Sequence, residues 1–308
     1  MTEAKKRPVL YILLFLFSFT FFLYLTFPYS VLKEAVFAEV AKATGYNIQI
    51  ENFGPSLPVG FEGENLQISS KDGSQNIQLQ EVDITISMLS LLIGRISIDA
   101  DLVSKNKGEL DLQVSWGILQ LALDQNFIPS SIDIDADNFD VGSLATFGIQ
   151  SYAKNANDLI KGTLLKMIVT GNLVGTAELD LAVDDPVQSS GVVNLKLAKA
   201  ALDLNDEGLG VAKQNFKKAD IRGSLEKGSL KINPKSGFVS QELSIKLKGK
   251  TDLRSPLPSS KLDLGIDVNL SGKLKENFDF VLSMAGGKDG GVKYKLSGTL
   301  GRPNFRAQ

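Results

Sequence analysis

Proton transfer and nucleophilic attack near neutral pH usually draw on histidine or cysteine, and this sequence has neither. Without histidine there is no side chain whose ordinary pKa suits acid–base work at pH 7. Ser-His and Cys-His pairs, the usual zinc sites, disulfides, iron–sulfur clusters and thiolate nucleophiles all drop out with the two residue types. Carboxylates, lysine, serine and tyrosine remain. The run Ser131-Ile132-Asp133-Ile134-Asp135-Ala136-Asp137 puts three carboxylates on one strand face. A calcium-binding loop would need Gly at its sixth position and Glu at its twelfth; Asn138 and Leu144 stand there. The run therefore reads as a solvated acidic face. Ser30 to Lys33 and Ser151 to Lys154 match a Ser-x-x-Lys spacing, but the Ser-Asp-Asn and Lys-Thr-Gly partners of that chemistry do not occur. Gly287-Lys288 is a faint echo of a phosphate loop, with Asp289 where a metal-binding Ser or Thr belongs. The sequence predicts no catalytic residue, no cofactor and no metal site, hence no enzyme.

Charge is balanced overall and unbalanced locally. Lys plus Arg number 33 and Asp plus Glu 35, a net of -2, so bulk attraction to nucleic acid is absent. Yet residues 99–140 hold nine acids against Lys105 and Lys107, and residues 211–250 hold ten bases against Asp220, Glu226 and Glu242. Solvated faces and protected strand edges account for such blocks. A docking surface for partner subunits or anionic lipid is the sharper expectation, with Lys246, Lys248 and Lys250 as its candidate basic face.

These charges must be carried on strands. From Asn47 onward the apolar residues recur with period two. Examples are Ile96 to Leu102, Leu110 to Trp116, Leu179 to Val183, Val193 to Leu197, Leu243 to Leu247, Leu262 to Leu270, Phe278 to Met284 and Val292 to Leu296. Alternation of this kind predicts antiparallel strands with one buried face. Lys107-Gly108, Asp206-Glu207-Gly208, Lys227-Gly228 and the 286–291 glycine cluster supply turns between them. One helix capped by Asp140 is expected from Val141 to about Ile160, ended by Gly162, and a short one from Val31 to about Ala43, capped by Ser30. Two short helices cannot cover ten or more half-apolar strands. The sheet must close on itself as a sandwich or barrel, or present a groove that holds something apolar. Leu243, Ile245, Leu247, Leu262, Leu264, Ile266 and Val268 are the candidate lining of such a groove.

The amino terminus differs in kind. Val9 to Phe27 is an uncharged run of 19 residues, and nine of the chain's 24 aromatic residues fall in the first thirty. Such a run reaches about 28 Å as a helix, close to the thickness of a hydrocarbon core. Lys5, Lys6 and Arg7 precede it, which predicts a cytoplasmic N-terminus and an exported remainder. The run is longer than a signal-peptide core, and the residues after it lack a small-residue cleavage pattern, so it reads as an uncleaved anchor.

Several segments carry a resemblance. They are the Gly-Tyr-Asn-Ile-Gln-Ile opening at 45–50, Leu89-Ser90-Leu91-Leu92-Ile93-Gly94-Arg95, Glu242 to Lys250, Ser255-Pro256-Leu257, Lys261 to Leu264, and Leu296 to Phe305. Together, and most closely over about 220–305, they resemble the protein N (GspN) family of the bacterial type II secretion system. The opening segment and the Leu-Leu-Ile-Gly-Arg turn are also similar to AsmA-like envelope proteins, whose β-rich grooves are associated with lipid traffic. The resemblance implies an inner-membrane protein with a periplasmic β domain that serves protein export, and it implies no catalytic residues.

The expected protein is thus mainly β. A cytoplasmic stretch (1–8) and a single transmembrane helix (9–27) lead into an elongated, curved antiparallel sheet (28–308), an open half-barrel or groove with one or two short helices. Its expected partners are the inner membrane and other type II secretion subunits, with phospholipid as the alternative and no nucleic acid.

Overall fold

The computed structural model describes residues 46–57, 59–70, 76–124, 127–153, 158–182, 184–204, 213–284 and 286–307, with scattered positions between 11 and 42. Over the described residues from Tyr46 onward the fold is mainly antiparallel β, 59% strand and 22% helix, in one large sheet. Its strands are β1 (Tyr46–Ser56), β2 (Gly60–Ser70), β3 (Asn76–Ile86), β4 (Arg95–Ser104), β5 (Glu109–Gly117), β6 (Ser131–Asp140), β7 (Ile168–Asp180) and β8 (Ser190–Asp203). There follow β9 (Gln214–Asn215), β10 (Lys218–Glu226), β11 (Ser229–Ile232), β12 (Gly237–Val239), β13 (Leu243–Asp252), β14 (Lys261–Leu270), β15 (Gly291–Thr299) and β16 (Arg302–Ala307). Spatial order follows chain order, with β11 and β12 sharing the place between β10 and β13, and β9 on the end of β8. The sheet is a meander, neither a two-sheet sandwich nor a ring: β1 and β16 are the ends of its strand order.

Pairing shows why period two governs the sequence. Ile84, Ala100, Leu112, Ile134, Ala177 and Val193 stand opposite one another from β3 to β8. The same row continues through Gly223, Ile232, Gly249, Leu264, Leu296 and Phe305 to β16. One apolar row therefore crosses the sheet without a change of face. A slip of one residue in most of these ladders would put a charged side chain in its place.

The row is held in register by bulges as well as by hairpins. At the β6–β7 ladder the register shifts between Ala136 and Phe139, where Asn138 adopts φ 55. Strict alternation would place Asn138 on the apolar face. The extra residue turns Phe139 there instead, as bulges re-aim side chains. Phe139 is fully buried against Leu79 and Val82 of β3. Gly108 makes this approach available, since a Cβ there would lie 1.9 Å from the Asn138 carbonyl oxygen.

Among the described residues five α-helices sit in the connections: α1 (Met88–Leu92), α2 (Ile118–Asp124), α3 (Gly142–Ala153), α4 (Asp158–Lys166) and α5 (Gly272–Met284). The single helix expected from Val141 is two, α3 and α4. Asp140 does open α3, its Oδ1 accepting the Gly142 N–H at 2.9 Å. Phe278 to Met284, expected as a strand, lies in α5. The alternation there coexists with a helical spacing, Leu274 to Phe278, and both side chains pack with Leu204 and Leu243. Packing at i, i+4 against a preformed apolar patch decided between two periods that the local sequence leaves balanced. Strand β7 ends at Asp180, so Leu181 and Ala182 do not extend it, and Val183 lies outside the described residues.

Residues 1–8 and most of Val9 to Phe27 lie outside the described residues, as do Ser30, Lys33, Lys154 and 205–212. Tyr11, Leu14, Phe15, Phe19, Phe21 and Phe22 are described as helical, with their side chains largely exposed. Among the described residues no helix is long and apolar enough to cross a membrane.

Candidate functional site

The seven apolar candidates come together on one face. In the β13–β14 ladder Ile245 stands opposite Val268 and Leu247 opposite Ile266. Leu243 pairs with Leu270, Leu264 with Gly249 and Leu262 with Thr251, all on the same side. Tyr294, Leu296 and Val292 of β15 carry the face onward, opposite Ile266, Leu264 and Val268. The seven differ in cover, however. Leu243 is buried beneath Leu274 of α5 and Leu204, with Ile245 and Val268 packed at the margin of that cluster. Leu247, Leu264 and Ile266 are half-buried and belong to neither sealed cluster. Between the two sealed clusters, the row from Ala177 to Leu264 is half-buried at most of its positions. A long apolar face that is neither sealed nor fully exposed is suited to hold an apolar ligand or a partner's apolar surface.

The opposite face carries the charge. Asp83, Asp101, Asp111 and Asp135 stand in one row across β3 to β6. Asp133 faces Glu178 in the next. They surround a depression of ≈ 440 Å³ lined by Asp99, Asp101, Asp111, Asp133 and Asp135. Like charges directly opposite repel. Burial, then Asp111, Asp83 and Asp99, raise the Asp101 carboxyl above its ordinary value. Burial, then Asp180 and Glu178, do the same to Asp133. Among the described residues no group of three or more ligands is arranged to hold a metal ion.

The candidate basic face is less free than its sequence suggests. Lys248 Nζ lies 2.9 Å from Asp267 Oδ2, and Lys250 Nζ lies 2.9 Å from Asp252 Oδ2. Lys295 similarly meets Asp263 at 3.0 Å. The Asp252 carboxyl is held below its ordinary value by hydrogen bonds from Lys250 and Ser229. Lys246, exposed, stands opposite Asp267 in the register, but that carboxylate pairs with Lys248. Lys250 also borders a depression of ≈ 750 Å³ shared with Arg222, Lys231, Asn233 and Asp263. Next to it, the buried Asp220 carboxylate is flanked by Lys218 at 3.4 Å and Arg222 at 3.2 Å.

Sequence reasoning missed the edge where the β3–β4 and β5–β6 connections turn. Leu89, Leu92, Ile93, Leu119 and Phe127 are strongly exposed there. The signal was present as two charge-free apolar runs, 87–94 and 117–123, too short to rank as structural elements of their own. In comparisons with family models, curated proteins and solved structures, none matches the chain.

Proposed function

We propose that the chain is a non-enzymatic accessory component of the bacterial type II secretion system, anchored in the inner membrane by residues 9–27 and acting in the periplasm by surface contact. The observation behind it is the resemblance over about 220–305 to protein N of that system. This stretch folds as one contiguous half of the sheet, β10 to β16, with an unsealed apolar face and a mixed-charge face. A chain without histidine or cysteine and with such extended faces suits recognition better than turnover. The test is removal of the gene in its native host, followed by measurement of type II substrates in the medium. Loss of those substrates, restored by the intact gene, supports the role. Undiminished secretion overturns it.

A second reading, an AsmA-like lipid carrier or tether, is favoured by one specific feature. Among the described residues, no second sheet lies against the apolar row from Ala177 to Leu264. Acyl chains would fit such a face. Purification of the full chain in mild detergent, followed by lipid extraction, addresses this directly. Stoichiometric phospholipid that is lost in a folded Ile266→Asp variant supports lipid carriage. Lipid-free wild-type protein, with an Ile266→Asp variant that melts far lower, assigns the face to packing.

A further inference from the structure

The hairpins turn at two edges of the sheet, and the two edges have opposite character. At one, the β2–β3 and β4–β5 connections carry Lys71, Asp72, Lys105 and Lys107. At the other, the β1–β2 connection (56–60), the β3–β4 connection (87–94) and most of the β5–β6 connection (117–123 and 127–130) contain no Asp, Glu, Lys or Arg. The five reversals of these six strands thus differ in polarity between the two edges, with Asp124 the one charged residue of the second set. Leu57, Leu89, Leu92, Ile93, Leu119 and Phe127 stand out along this apolar edge. Leu89, Leu92 and Phe127 are 78%, 79% and 76% exposed. Helix α1 has no buried residue at all, so its apolar side chains contribute nothing to a core.

Trp116 sits at the base of the third connection, its Nε1–H donating to the Phe127 carbonyl oxygen at 2.9 Å. An indole with its polar edge satisfied and its ring beside an apolar rim is the arrangement favoured where hydrocarbon meets water. The three connections recur at every second strand. With strands about 4.8 Å apart, the tips fall about 10 Å from one another, in a line about 20 Å long. Patches of this kind on a monomer mark an interaction site. A protein partner is ordinarily recognised with a charged or polar rim around an apolar centre. Along this line Asp124 is the one charged residue of the three connections.

The position of the amino-terminal segment selects the occupant. Strand β1 begins with Tyr46 at the charged edge. Phe37, in the helical stretch before it, packs on Phe53 with ring centroids 6.2 Å apart. Phe53 lies seven residues along β1, about 23 Å towards the apolar edge. Phe37 therefore lies beside β1, nearer than Tyr46 to the edge where Leu57 turns. The uncharged run Val9 to Phe27 ends ten residues before Phe37 in the sequence.

We propose that the apolar edge formed by the β1–β2, β3–β4 and β5–β6 connections seats in the interface of the phospholipid bilayer that takes up the amino-terminal run. Leu89, Leu92, Leu119 and Phe127 enter the acyl boundary, Trp116 lies at the headgroup level, and the charged edge points away. Ile96, opposite Trp116, begins the apolar face immediately behind this rim. The proposal rests on the anchoring of residues 9–27 in the inner membrane given above, and not on the secretion role or on lipid carriage.

The absence of cysteine makes the test direct. Single cysteines are placed in the full chain by Leu92→Cys, Leu119→Cys and Phe127→Cys at the apolar edge, and Lys107→Cys at the opposite one. Each is labelled with an environment-sensitive fluorophore. The protein is reconstituted in vesicles of phosphatidylethanolamine and phosphatidylglycerol that carry spin labels on the acyl chains. The expected result is severalfold stronger quenching at positions 92, 119 and 127 than at 107. Equal quenching at all four positions, or a blue-shifted rim fluorophore that lipid spin labels leave unquenched, overturns the proposal; the latter would mean that protein covers the edge. In the Phe127→Cys background, Leu89→Glu with Leu92→Glu should reduce quenching at 127 severalfold. Unchanged quenching there would show that the connections do not act as one membrane contact. Leu89 and Leu92 are too exposed for the charges to threaten folding, and an unchanged melting temperature in detergent checks this.

Discussion

Strands β3 to β7 and strands β10 to β15 are built alike, as hairpins with one apolar and one charged face, yet they treat charge differently. In the first region, Asp83, Asp101, Asp111 and Asp135 line up across four strands. Among the described residues, no ion pair joins that row. In the second, Lys248, Lys250 and Lys295 each meet a carboxylate within 3.0 Å. Charge counted along the chain made these regions mirror images, one strongly acidic and the other strongly basic. Charge counted across the ladder does not. Asp263 and Asp267 fall outside the 211–250 block in sequence and inside its face in space. The acidic block met further acids, Asp83 and Glu178, from strands on either side. A sheet's local field is set by its cross-strand neighbours, and hairpin register decides who they are.

The largest effect expected on this comparison comes from the sealed apolar clusters beneath the two regions. Phe139→Ala should cost about 3–5 kcal/mol, because the side chain is fully buried and its bulged strand cannot collapse around the gap. Leu274→Ala, beneath the second region, should cost about 2–5 kcal/mol. Urea titration of each variant measures both. A cost below 1 kcal/mol for Phe139→Ala would show that the bulge at Asn138 does not anchor β6 to β3.

Smaller effects of opposite sign should separate the charged faces. Asp111→Asn removes one member of an unrelieved row and should stabilise the protein by about 0.2–1 kcal/mol. Asp267→Asn removes the partner of Lys248 and should destabilise it by a similar amount, about 0.2–1 kcal/mol. Added salt should shrink both differences, since each is carried by exposed charge. Changes of the same sign in the two variants would break the contrast between the regions.

Much of this architecture was legible in the alternation of apolar residues. Ile245 with Val268 and Leu247 with Ile266 share a face because both strands keep strict parity and the hairpin holds their register. The bulge at Asn138 was not legible, because one extra residue reverses parity without altering composition. Helix α5 was misread because Phe278, Phe280 and Leu282 alternate like a strand, while Leu274, the residue that fixes the helix against Leu204 and Leu243, lies before the alternation begins. The apolar edge was passed over for a related reason. Leu89, Leu92 and Phe127 lie in connections, where residues are ordinarily read for turn chemistry and not for what their side chains face. The pairing of the basic face was invisible because it depends on which strand follows which.

Acid titration gives the smallest effect and the cleanest test of the same contrast. Burial, reinforced by neighbouring carboxylates, raises Asp101 and Asp133 above the ordinary 3.8. A carboxyl with a raised value binds its proton more tightly in the folded chain than in the unfolded one. Between 3.8 and the raised value the folded state holds more protons, so stability rises as pH falls through that window. Asp252 behaves oppositely. Its value is lowered by hydrogen bonds from Lys250 and Ser229, so its contribution is present above 3.8 and is lost as pH falls below it. Melting temperature should therefore respond to acid through the two faces in turn. From neutral pH towards 3.8, Asp101→Asn with Asp133→Asn should show less acid stabilisation than wild type, because its two titrating groups are gone. Below 3.8, Asp252→Asn should lose less stability than wild type. Using the difference between each variant and wild type removes the carboxylates common to both. Parallel curves for wild type and the Asp101→Asn, Asp133→Asn variant would show that solvent already relieves the acidic row, and the two faces would then differ in arrangement without differing in energy.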